Sequence, residues 1–121
     1  MEITRESEIW ILVQLVLEHK FGAGLCSSEL AGSEPLSKAV DTIWSAFQNT
    51  KFYTITAPRN GWDAWRCLSP DRIEWERVVS WLKDAKCWDE WSSEMKLTYI
   101  NMLASPFKIA DDHISNLLNS R

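Results

Sequence analysis

The sequence predicts an α+β domain that is mostly helical, and three observations carry that reading. Apolar residues recur at helical spacing in most of the chain, residues 51–57 (K-F-Y-T-I-T-A) have strand composition, and an Asn60-Gly61 pair can fold that stretch back on itself. The 121 residues are 45% hydrophobic and 25% charged, with only 4 Gly and 4 Pro, a balance that builds one globular core and excludes disordered, collagen-like and disulfide-scaffold chains. Eight tryptophans bring large apolar area together with indole N–H groups that need acceptors.

Taken in order, Ser7 can cap a helix that opens at Glu8 and runs to about His19. Ile9, Trp10, Ile11, Leu12, Val13, Leu15, Val16 and Leu17 nearly encircle it, which predicts a central buried helix. Phe21 to Gly24 end it. After Leu25 and Cys26, either Ser27 or Ser28 can cap a short helix holding Glu29, Leu30 and Ala31. Gly32 and Ser33 turn the chain, Ser33 or Glu34 caps the next helix, and Pro35 suits its first turn, where a missing N–H is harmless. Leu36, Ala39, Val40, Ile43, Trp44 and Phe47 then form the cleanest amphipathic stripe in the sequence, over residues 34–49.

A β-hairpin follows, with strands over residues 51–57 and 64–68 and a turn over 58–63. Ser69, Pro70 and Asp71 cap a helix whose stripe is Ile73, Val78, Trp81, Leu82 and Ala85, with Trp75 and Val79 beside it. Asp89 starts another, with Trp91, Met95, Tyr99, Met102 and Leu103 on one face, Leu97 and Ile100 widening it, and Ser105-Pro106 as the break. Residues 109–118 form the last. The whole reads as a single domain, residues 1–121, in which 71–121 form a C-terminal helical part fit for dimerisation or partner binding.

The ends and cysteines narrow the setting. The acidic start, residues 1–8, has the wrong charge for a secretory or mitochondrial address, and the longest apolar run, interrupted by Gln14, is too short to span a bilayer. The expectation is a cytoplasmic protein with no membrane partner. Cys26, Cys67 and Cys87 show no C-x-x-C spacing and read as buried or half-buried thiols, with neither a disulfide framework nor a zinc site.

The order of elements, with Leu30 and Ala31 in the short helix, Val40, Trp44 and Phe47 holding the next, and Arg59-Asn60-Gly61 at a hairpin tip, resembles the winged helix-turn-helix over roughly residues 8–79. The winged-helix part proper is 8–70. That resemblance implies three helices plus a β-hairpin, followed by C-terminal helices, and a small DNA-binding transcriptional regulator that can pair as a homodimer. It also implies that residues 34–49 lie in the major groove of double-stranded DNA and present Ser37, Lys38, Thr42 and Ser45, while Lys51, Arg59 and Arg66 bind phosphates.

A different class of function competes with this one. The net charge is -4, and residues 33–69 hold only three acids and four bases, a thin basic excess for nucleic acid. Trp62 at the apparent tip of the hairpin can anchor a protein partner, as in an inhibitor, immunity or assembly factor, or it can fold back over Trp65. Trp75, Trp81, Trp88 and Trp91 fit a core or a helical dimer seam. No catalytic motif, Gly-rich phosphate loop or cofactor signature occurs. Asp111-Asp112-His113 is as well explained by a helix start as by a metal. The expectation is a protein that is not an enzyme and needs no cofactor or metal.

Overall fold

A computed structural model describes residues 5–22 and 26–119, and for Ser28 the backbone only. The expected reading of residues 1–4 and of the link through 23–25 lies outside the described residues. Among the described residues eight α-helices dominate: α1 (Arg5–Phe21), α2 (Ser28–Ala31), α3 (Glu34–Gln48), α4 (Lys51–Ile55), α5 (Trp62–Trp65), α6 (Ile73–Asp84), α7 (Ser93–Ala104) and α8 (Asp111–Leu118). Two short strands, β1 (Cys67–Leu68) and β2 (Lys108–Ile109), complete the fold. The architecture is therefore α+β and mostly helical, as expected.

Local chemistry explains several boundaries. Ser27 Oγ accepts from the Leu30 N–H at 3.2 Å, and Ser33 Oγ accepts from the Leu36 N–H at 3.3 Å, so the serines expected as caps take that role for α2 and α3. Pro35 occupies the first turn of α3, whose buried stripe is Val40, Trp44 and Phe47. At α7, Ser92 caps by accepting from the Met95 N–H at 3.2 Å. A 3-10 turn over Trp88–Glu90 occupies the position expected to open that helix. Two expected caps are not used. Ser7 lies inside α1, and α6 starts after Arg72 without a side-chain cap.

The hairpin is the main correction. Residues 51–57 contribute α4, and residues 62–65 contribute α5. Gly61 does adopt the positive φ (85°) that an Asn-Gly turn provides, but the turn leads into a helix. The physical reason is packing. Coiled as helices, these segments bring Phe52, Tyr53, Trp62 and Trp65 against Val13, Trp44 and Phe47, and this burial outweighs the β-propensity of aromatic and β-branched residues. Thr56 adapts by returning its hydroxyl to the Phe52 carbonyl one turn back. The only strand in that region, β1, pairs in parallel with β2, Cys67 opposite Lys108 and Leu68 opposite Ile109. A parallel pair needs a crossover, and α6 and α7 supply it.

Other stripes also shift. In α6 the buried positions are Trp75, Val78, Trp81 and Leu82, while Ile73, expected inside, stands 68% exposed at the helix start. In α7 the buried positions are Ile100, Leu103 and Ala104, so Leu103 and Ile100 are inside as expected, while Tyr99 and Met102 are half-buried and Met95 and Leu97 are exposed. Helix α1 is not the enclosed central helix expected, for only Val13, Lys20 and Phe21 are fully buried. Cys26 is buried, whereas Cys67 and Cys87 are exposed thiols.

The core has two parts. The larger joins Phe21, Leu68, Trp81, Leu82, Ile100, Leu103 and Leu117, so it mixes the first 70 residues with the C-terminal helices. The smaller is the aromatic group around Trp44. Trp65 belongs to both, stacking on Trp44 (ring centroids 5.7 Å apart) and meeting Phe107 at 4.8 Å.

Beside Phe21 of the larger part lies a buried cation. Lys20 is 1% exposed, and its Nζ donates to the carbonyls of Met102 (3.0 Å) and Ser105 (2.6 Å) at the C-terminal end of α7. Those carbonyls carry the negative end of the helix dipole and would otherwise be unpaired. Burial lowers the Lys20 pKa from 10.5 to about 8, opposed by Cys26 and Asp41, which favour the charged form. Below pH 8 both folded and unfolded chains hold the proton. Between about 8 and 10.5 only the unfolded chain holds it, so stability rises with pH through that window, by about 3 kcal/mol at most. The neutral amine still has two N–H donors for the two carbonyls. Urea titrations from pH 8 to 10.5 should show this rise in the wild type and not in Lys20→Met.

Candidate functional site

The residues expected to read DNA separate in space. Lys38, Thr42 and Ser45 lie exposed on the outward face of α3. Lys38 is paired with Glu34 at 2.8 Å, one turn earlier, which lowers the Glu34 pKa and raises that of Lys38. Asp41 is exposed on the same helix, so this face carries two acids and one base. Ser37 is half-buried on the neighbouring side, where it lines a groove with Asp41 and Arg66.

The phosphate candidates are likewise dispersed. Lys51 opens α4, where its backbone N–H donates to Glu6 Oε1 at 2.9 Å and its ammonium stands 5.6 Å from the Phe52 ring centroid. Arg59 is exposed in the turn before Gly61. Arg66 is held more firmly: its Nε donates to the Pro106 carbonyl at 3.0 Å and its guanidinium covers the Trp44 ring at 5.2 Å. Of the seven candidates, the fold brings together Lys38, Thr42 and Ser45 on one face, and Ser37 and Arg66 in one groove.

Trp62 folds back. Its Nε1 donates to the Tyr53 carbonyl at 2.6 Å, and its ring meets Trp44, Phe47, Tyr53 and Trp65 at centroid distances from 5.1 to 5.7 Å. The side chain is half-buried and its polar edge is already satisfied. Trp75, Trp81 and Trp88 are core residues, and Trp91 is half-buried beside Tyr99. At the start of α8, Asp112 accepts from the His113 N–H at 3.0 Å, and the His113 ring packs edge-on against Trp75. Among the described residues, no three His, Cys, Asp or Glu side chains are grouped to hold a metal. Nor is any helix among them long and apolar enough to cross a membrane.

Two apolar surfaces went unmarked in the sequence. The first is the outward face of α1, where Ile11, Leu12 and Leu15 are 44%, 47% and 57% exposed, bordered by Glu8, Gln14, Glu18 and His19. The signal was available: a helix apolar all round must bury every side, and α3, α4 and α6 leave this one open. The second is a groove of about 500 Å³ along α7, lined by Trp91, Met95, Tyr99 and Met102, with Gly32 against the Tyr99 ring. A Cβ on Gly32 would lie 2.2 Å from that ring, so glycine is what lets α2 approach α7.

No protein-family model, curated protein sequence or solved structure matches this chain.

Because Trp62 is part of the aromatic core, Trp62→Ala should act on folding. A loss of about 3 kcal/mol is expected, the range for a large aromatic truncated in a core, read from the urea midpoint.

Proposed function

We propose that this chain is a non-enzymatic protein-interaction module that works through the outward face of α1 and pairs there with a second copy of itself. The observation that carries this is the exposure of Ile11, Leu12 and Leu15 as one stripe on a long helix whose opposite side is buried. Contiguous apolar surface with a polar border is the pattern of an interface, an apolar centre inside a polar rim. The stripe is also self-complementary. Two antiparallel copies centred between Val13 and Gln14 set Leu12 against the partner's Leu15 and Glu8 against the partner's His19, each pairing occurring twice by symmetry.

The test is the mass in solution across a concentration series, for the wild type and for Leu15→Lys. A dimer that forms with concentration in the wild type and is lost in the variant is the expected result. The substitution is at an exposed position, so stability should stay within about 0.5 kcal/mol. A wild type that is monomeric at every concentration overturns the pairing.

A second reading, DNA binding through α2 and α3 as the helix-turn-helix part of the winged-helix resemblance, is favoured by the exposure of Lys38, Thr42 and Ser45 together. It predicts retention of a random duplex pool that falls steeply with salt and weakens in Lys38→Ala. No retention at low salt removes it.

A further inference from the structure

Between α3 and α7 lies an open polar groove of about 440 Å³, floored by the stretch from Ser105 to Ile109, a size within the usual range for small-ligand sites. We propose that it binds a small oxyanion, a carboxylate or phosphate group, between Arg66 and Lys108. The chain as a whole is acidic, yet this groove is not. Arg66 and Lys108 line it, the buried Lys20 is bonded to the Ser105 carbonyl at its floor, and Asp41 is the one acid among its lining residues.

Each cation has capacity to spare. Arg66 spends its Nε on the Pro106 carbonyl, which fixes the plane of the guanidinium, and its two Nη groups have no hydrogen-bond partner among the described residues. A guanidinium so oriented offers two parallel N–H donors, the geometry that suits a carboxylate or phosphate edge. Lys108 is exposed on β2 and has no ion-pair partner among the described residues. Beneath them the Ser105 hydroxyl is buried with no hydrogen-bond partner. A buried hydroxyl left unpaired costs stability, and turning it toward an oxygen in the groove breaks no existing bond.

The test uses inorganic phosphate and acetate, each titrated into the full chain and followed by amide shifts, with a short DNA duplex as a third arm. Saturable shifts confined to residues 37–41, 66 and 101–109 are expected with phosphate or acetate. Asp41→Asn, which removes the opposing charge, should tighten binding several-fold, and Lys108→Ala should weaken it several-fold. Both residues are exposed, so the fold should survive each change; Asp41→Asn also withdraws a charge that favours the Lys20 ammonium, and its melting temperature is read alongside its affinity. Ser105→Ala should weaken binding while leaving the melting temperature unchanged or higher. Absence of shifts in this groove, or equal affinity in wild type and Lys108→Ala, overturns the proposal. Shifts on Thr42 and Ser45 with the duplex, without a response to either small anion, also overturn it in favour of a nucleic-acid backbone.

Discussion

The buried ammonium of Lys20 is the constraint around which the fold is arranged. It is carried at the end of α1 and spent on the end of α7, so it joins two helices more than 80 residues apart in sequence. Removing a charge from water is costly, and this one is offset by two carbonyl acceptors, by the helix dipole they terminate and by the Phe21 ring 5.1 Å from its Nζ. Because Ser105 is one acceptor, the lysine also places the segment that follows. Phe107 is thereby delivered to Trp65 and Phe21, and Lys108 and Ile109 to β1. Shifting the amine would disturb both parts of the core together.

The tryptophans are shared between the two parts of the core, with Trp75, Trp81 and Trp88 in the larger and Trp10, Trp44, Trp62 and Trp65 in the smaller. Around Trp44, rings from α3, α4 and α5 meet at stacked and edge-on angles, arrangements that add to the gain from area alone. Arg66 and Arg72 border the same rings. Arg72 donates to the Trp65 carbonyl and stands over the Phe107 ring at 4.6 Å, while Arg66 covers Trp44. Both arginines thus seal the edge of an aromatic core. Arg66 also faces an open groove, so a single side chain serves the packing and the candidate anion site at once.

What was legible in the sequence depended on whether a local rule acted alone. The caps at Ser27 and Ser33, the stripe of α3 and the positive φ at Gly61 each follow from local chemistry, and each is present. Residues 51–57 carry strand composition, yet Phe52 and Tyr53 gain more by reaching Trp44 and Trp62, a non-local contact that no window of sequence contains. In α7 the apolar face expected from sequence holds Leu103 and Ile100, and both are buried, but its centre lies nearer Ala104 than Met95, because tertiary packing selects which part of a broad apolar face turns inward. The groove behind the anion proposal was not legible at all, because its charged and polar groups come from three separate stretches, Asp41 from α3, Arg66 from before β1, and Ser105 with Lys108 from the segment after α7. Lys20 did leave a trace: with Val13 and Leu17 it keeps the spacing of the buried side of α1.

The pairing of β1 with β2 sets the order in which the chain can be finished during synthesis. Residues up to 70 leave the ribosome with Trp65 lacking Phe107, Leu68 lacking the strand that includes Ile109, and Lys20 lacking the acceptors at Met102 and Ser105. Domains form as units once their chain is available, and until then their apolar surface stays open to other chains. Here residues through Ser105 must emerge before the first helix can bury its lysine, whereas the aromatic group around Trp44, drawn from residues 9–65, has its members much earlier, so it is Lys20 and β1 that wait longest.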